Sequence, residues 1–197
     1  FFDDLGNIYN LDKSKILPTR GNGEPLTNFF ILNDGVSIIG IHNLGSKKSI
    51  LNVSTQGIGF IANHEDMIVK NRKGKVLLKI KNSKALRPCS LDHDKDKYYL
   101  LITSDNYMLI GNLKTVPVLS RGRGVKLINL PKKSDEFIKF SGIFNKNQSL
   151  HFYYSNGKSK KMSTEDLSSY FMDKNRRGKK LDKKFILEKY TTTYNIE

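Results

Sequence analysis

The chain has 197 residues, 38% of them hydrophobic, which suits one domain or a short array of repeats with a buried core. Its 34 lysines and arginines against 19 acidic residues give a formal charge of +15, an excess that attracts polyanions and puts nucleic acid ahead of an anionic membrane surface. No apolar run approaches the roughly 20 residues that cross a bilayer and no basic amphipathic helix stands out, which disfavours a membrane role.

The opening "FFDDLGNIYN" has neither the basic start nor the long apolar centre of a signal peptide, and the chain reads as a piece of something larger. Four hairpin signals then recur in order: "DDLGNIYNL" (3–11), "STQGIGFIA" (54–62), "TSDNYMLIG" (103–111) and "YSNGKSKKM" (154–162). Their turn positions are Gly6, Gly57, Asn106 and Gly157, the residue types that tolerate the positive φ of tight hairpins. Strand candidates precede the last three turns in "SILNVS", "YYLLITS" and "SLHFYYS", rich in β-branched, leucine and aromatic residues.

Behind each hairpin comes a polar connection and then a glycine-basic element: "PTRGNGEPL" (18–26), "KNRKGKVLL" (70–78), "LSRGRGVKL" (119–127) and "KNRRGKKL" (174–181). Gly23, Gly74, Gly124 and Gly178 recur at roughly 50 residues, a period that marks repeated architectures. The expected fold is all-β and propeller-like, with about four blades of roughly 50 residues and approximate repeats 1–47, 48–97, 98–147 and 148–197. A sandwich is the alternative, and the fixed long period argues against it. "VKLINL" (125–130) is expected to return the chain to its own blade, and a short helical turn is expected within 163–171, capped by Ser163 or Thr164.

Catalytic patterns are missing. "RGRG" runs into a strand, and no GxxxxGK[ST] string exists, so a phosphate-cradling nucleotide site is not supported. Asp92, Asp94 and Asp96 alternate like calcium ligands, but Lys97 and Thr103 stand where the glycine and glutamate of such a loop belong, leaving a solvated loop. His42, His64, His93 and His151 are scattered without metal-ligand spacing, and Cys89, the single cysteine, is expected as a buried, inert thiol compatible with a reducing cytoplasm.

The basic elements are different, since their charges sit beside glycines at equivalent places. Glycine is expected to let the backbone approach phosphate, and arginine offers a planar fork for bidentate contact. The candidate DNA-binding residues are Arg20, Lys70, Arg72, Lys73, Lys75, Arg121, Arg123, Lys126, Arg176, Arg177, Lys179 and Lys180. The first element, with Arg20 set against Glu24, is expected to be the weakest contact. Lys158, Lys160 and Lys161, beside a hairpin turn and away from those loops, are the candidates for a protein-partner site.

The strings "LPTRGNGEPLT", "GIGFIANHEDMIVKNRKGKVLL" and "VPVLSRGRGVKLINLP", in this order and spacing, resemble the C-terminal domain of the A-subunit of bacterial DNA topoisomerase IV, a relative of the corresponding gyrase domain. The resemblance implies a β-pinwheel, in which neighbouring blades exchange an outer strand and duplex DNA bends around a basic edge. It implies an incomplete first blade, because Phe1 lies just before the first hairpin turn. It further implies a non-catalytic domain of an ATP-dependent type II topoisomerase that relaxes supercoils and decatenates chromosomes. Cleavage, ATP and Mg2+ would belong to other domains and to the B-subunit, within a heterotetramer of two A and two B subunits. A cytoplasmic, nucleoid-associated location and an SMC-type chromosome partner go with that family. "KNRRGKK" is the nearest approach to gyrase's glutamine-arginine-arginine-glycine-glycine-lysine-glycine box and lacks its glutamine, which favours bending without tight wrapping. The alternatives are a gyrase-type wrapping domain or a protein-interaction module docking an acidic partner.

Overall fold

A computed structural model describes residues 1–16, 21–43, 49–181 and 187–194, and among them the regular structure is β-strand with short 3-10 turns. The four expected hairpins form: β1 (Phe2–Asp3) with β2 (Asn7–Ile8), β4 (Ser49–Val53) with β5 (Ile58–Ala62), β8 (Tyr98–Thr103) with β9 (Tyr107–Asn112), and β12 (Gln148–Tyr154) with β13 (Ser159–Met162). Gly6, Gly57, Asn106 and Gly157 have φ of 84°, 73°, 63° and 77°, so the turn residues are there for the backbone conformation they permit.

Four sheets result among the described residues. The first runs β3 (Ile38–Gly40), β1, β2, β6 (Lys75–Val76), and the second β10 (Val125–Lys126), β5, β4, β7 (Cys89–Leu91). The third runs β11 (Ile138–Phe144), β8, β9, β14 (Lys179–Lys180), and the fourth β13, β12, β15 (Leu187–Tyr194). The strand after each of Gly74, Gly124 and Gly178 leaves its own repeat: β6 pairs with β2, β10 with β5 and β14 with β9. The outer strand is exchanged between neighbours, and "VKLINL" does not return to its own blade. Its Val125 and Lys126 lie opposite Gly59 and Ile58, and Leu127 N–H donates to the Gly57 turn carbonyl at 2.8 Å.

Three apolar clusters lie between successive sheets. Ile50 and Phe60 pack with Phe2, Ile8, Leu77 and Leu78, while Leu51 and Ile61 face Tyr99, Leu101, Leu109, Leu127 and Ile128. Leu100 and Ile102 turn the other way, towards Leu150, Phe152 and Tyr154. Alternate residues of one strand therefore serve two cores, so β4 is buried throughout and β8 at every position after Tyr98. Full burial of each such side chain contributes about 1.5–3 kcal/mol, and these stacked interfaces hold neighbouring sheets in register.

The connections follow local chemistry. In the expected helical segment, Ser163 Oγ accepts from Asp166 N–H at 3.3 Å and Asp166 Oδ2 accepts from Ser163 N–H at 2.9 Å, a reciprocal cap leading into a 3-10 turn at Ser168–Tyr170. In the aspartate loop, Asp92 Oδ1 accepts from Asp94 N–H at 3.1 Å, Asp96 Oδ2 from Asp92 N–H at 2.7 Å, and Asp96 Oδ1 from Asn145 at 2.8 Å. These carboxylates tie the loop to itself and to the β11–β12 turn. Cys89 Sγ lies 3.6 Å from Ser141 Oγ, and burial pushes its thiol up.

Candidate nucleic-acid interface

The glycines of the basic elements have a structural task. At Gly74, Gly124 and Gly178, φ is 74°, 81° and 83°. A Cβ at Gly124 would sit 2.3 Å from the Gly59 carbonyl oxygen, at Gly178 2.6 Å from that of Met108, and at Gly74 2.5 Å from the Tyr9 ring. Their missing side chains let the exchanged strand lie against the preceding hairpin. At these three positions the space left by the missing side chain is filled by protein.

The same crossings join the basic loops to one another. Lys79 N–H donates to the Gly122 carbonyl at 2.7 Å and Gly122 N–H to Leu77 at 2.9 Å; Asn129 N–H donates to Arg176 at 2.8 Å and Asn175 N–H to Leu127 at 2.9 Å. At the first junction Ile31 N–H donates to the Arg72 carbonyl at 2.8 Å. The chain leaving each loop thus runs beside the next loop, and residues 70–79, 119–129 and 174–180 form a continuous backbone line although roughly 50 residues separate them in sequence.

The side chains on this line divide into two groups. Lys70, Lys73, Arg121, Arg123 and Arg176 are exposed, and none makes a side-chain hydrogen bond or ion pair among the described residues. Lys126 is exposed with one long contact, 3.4 Å, to Asn129 Oδ1. Other cations serve the fold. The Arg72 guanidinium donates to the carbonyls of Phe29, Thr27 and Asn28 at 3.2, 3.4 and 2.7 Å, where a 3-10 turn presents unpaired oxygens. Lys75 Nζ donates to the Asp66 carbonyl at 2.9 Å and Lys179 Nζ to Ser169 Oγ at 2.7 Å.

Arg177 is partly enclosed. Its guanidinium is ion-paired with Glu136, whose side chain is 1% exposed, and stacks 3.8 Å from the Tyr107 ring centroid, with Lys180 Nζ 5.5 Å from the same ring. Arg20 lies outside the described residues. Lys158, Lys160 and Lys161 sit at and on β13, and Lys160 and Lys161 are exposed. Lys79 was missed from sequence: it is exposed, and its backbone joins the Gly122 loop. Its place after the exchanged strand, matching Asn129 one repeat on, was the available signal.

Nucleophilic chemistry has little support from the buried tyrosines. Burial pushes the Tyr9 hydroxyl up to about 12, with the hydrogen bond to Asp3 adding to it, and burial also raises Tyr99 and Tyr190. An activated nucleophile needs the opposite shift or a base beside it.

No protein-family model matches the chain. The A-subunit of DNA topoisomerase 4 from Haemophilus influenzae is 34% identical over 187 residues, 92% of this chain, and that from Salmonella typhimurium is 30% identical over 183 residues, 90% of this chain. The C-terminal domain of Escherichia coli ParC superposes with a TM-score of 0.86 at 25% identity, covering 98% of this chain and 80% of that domain. The chain belongs to the topoisomerase IV A-subunit family. It spans about a quarter of the length of the curated relatives it matches, 25% and 24% for the two above. A gyrase A C-terminal domain has the same fold, with a TM-score of 0.75 at 17% identity. The exchanged outer strands and stacked four-stranded sheets are therefore the β-pinwheel of the topoisomerase IV and gyrase C-terminal domains.

Proposed function

We propose that this topoisomerase IV A-subunit homologue binds duplex DNA along the linked basic loops and bends it there without cutting it. The observation that carries the reading is the backbone line that strings three basic loops together while leaving Lys70, Lys73, Arg121, Arg123 and Arg176 exposed and without internal partners among the described residues. Exposed guanidinium and ammonium groups on a shared edge neutralise consecutive phosphates, and they read charge more than base sequence. Bending a site of 20–30 base pairs costs about 1–6 kcal/mol, which added phosphate contacts offset. The four repeats act as one binding unit, and DNA cleavage, ATP hydrolysis and contacts to the B-subunit of the whole enzyme belong to parts outside this chain.

Duplex binding measured across a salt series, with bending read from ring closure of short fragments, tests the proposal. Affinity is expected to fall on a log–log plot with a slope of about 0.9 per phosphate engaged, with little preference among sequences. A salt-insensitive complex, or one confined to a defined base sequence, overturns it.

A further inference from the structure

The three strand-exchange junctions differ at a position that lies outside the basic elements. Ile8, Gly59 and Met108 pair with Lys75, Val125 and Lys179, so Lys73, Arg123 and Arg177 are equivalent on one side of the ladder, and Asp4, Thr55 and Ser104 on the other. The N–H groups of Asp4, Thr55 and Ser104 donate to the carbonyls of Ser37, Lys84 and Phe137 at 3.0, 2.8 and 2.8 Å. Those three acceptors are therefore equivalent as well, and the residue before each is Val36, Ser83 or Glu136.

Of these, the third alone carries a charge. The Glu136 carboxylate is ion-paired with Arg177, its side chain is 1% exposed, and its Oε1 has no hydrogen-bond partner among the described residues. A buried anion so poorly supplied with donors depends on that guanidinium. At the second junction Ser83 Oγ is buried without a partner among the described residues, and Ile58 stands where Tyr107 stacks on Arg177. Neither side chain carries a countercharge, and Arg123 is exposed. At the first junction the counterparts are Val36 and Asn7, and Lys73 is exposed. The basic element ends in a cation and glycine each time, so what changes is the residue supplied by the neighbouring segment. We infer that the position of Val36, Ser83 and Glu136 sets which cations of the linked loops are free for phosphate: Glu136 withholds Arg177 from DNA, while Ser83 and Val36 leave Arg123 and Lys73 to it. The inference rests on the proposed duplex binding along these loops and adds what grades its strength from one junction to the next.

The test reads two quantities: affinity for a 30-base-pair duplex across a salt series, and exchange of the arginine Nε–H protons with water, which slows when a guanidinium is held. Glu136→Gln is expected to speed exchange at Arg177, to tighten duplex binding about threefold and to raise the salt slope by about 1, and adding Arg177→Met should abolish that gain. Ser83→Glu is expected to slow exchange at Arg123 and to lower the salt slope by about 1, with no further loss when Arg123→Gln is already present. A gain in Glu136→Gln that survives Arg177→Met reflects the lost negative charge alone and overturns the inference. Equal weakening by Ser83→Glu with and without Arg123 does the same; where Ser83→Glu fails to fold, the Glu136 pair decides. Unaltered Arg177 exchange in Glu136→Gln overturns the inference even if the wild-type chain binds duplex as proposed. Released Arg177 exchange in a chain whose wild type shows no salt-dependent duplex binding overturns the proposed function instead, and with it the DNA half of this inference.

Discussion

Arg123 and Arg177 occupy the same place in successive basic elements, one residue before the glycine that admits the exchanged strand, yet the fold treats them differently. Arg123 is exposed and keeps its charge available. Arg177 is drawn onto the preceding sheet, stacked on Tyr107 and paired with a Glu136 that water barely reaches. A motif sets where a cation leaves the backbone; the neighbouring sheet decides whether that cation faces solvent or completes a packing contact. The repeated edge is therefore uneven, with its most available charge at residues 121–123 and its most rigid junction at 177.

Substitutions can break this comparison at different depths. Both junctions rest on the same glycine contact, so Gly124→Ala and Gly178→Ala are each expected to cost about 3 kcal/mol or more in urea unfolding, because a Cβ would meet backbone at a positive φ. Gly157→Ala, with open space around it, should cost only about 1 kcal/mol. Equal losses at Gly124 and Gly157 would show that conformation alone, not the close approach, demands glycine.

Next in size is Arg177→Met, expected to destabilise by about 2–3 kcal/mol by leaving Glu136 buried and unpaired, below the full value for a buried pair because Arg177 is 31% exposed. Glu136→Gln in the same chain should restore part of the loss. Arg121→Glu/Arg123→Glu should leave stability nearly unchanged, yet weaken duplex binding about tenfold and lower the salt slope by about 2. A salt slope that drops equally in Arg177→Met would erase the division between available and enclosed arginines.

The smallest effect concerns Asp4 and Lys84, 2.7 Å apart between the first two sheets, with the lysine 66% exposed. Burial pushes the Asp4 carboxyl up, but hydrogen bonds from Lys84 and the Ser37 N–H outweigh it, and the net value lies below the ordinary one. Since the folded value is depressed, this contribution is present above the unfolded value of about 3.9 and is lost as pH falls through the lower folded value. Asp4→Asn should flatten the stability–pH curve below about pH 4, by less than about 1 kcal/mol given the exposure of Lys84.

Hairpins, turns and the repeat period were legible in the residues, because positive φ, alternation of apolar side chains and glycine spacing are local properties. "YYLLITS", Asn106 and Gly57 each carry their structural reason within a few residues. The identities of the basic loops were legible for the same reason. Their connection was not. Nothing in "VKLINL" says that Val125 and Lys126 pair with Gly59 and Ile58, or that Asn129 reaches Arg176, since those bonds span roughly 50 residues or more and depend on how sheets stack. For the same reason the sequence treats Arg72, Arg123 and Arg177 alike, and only the tertiary structure supplies the 27–29 carbonyls and Glu136 that engage two of them. The sequence by itself determined a basic, four-hairpin β-repeat. Stacking of those repeats decided which charges remain available and which complete a packing contact, because both depend on neighbours brought together only by the fold.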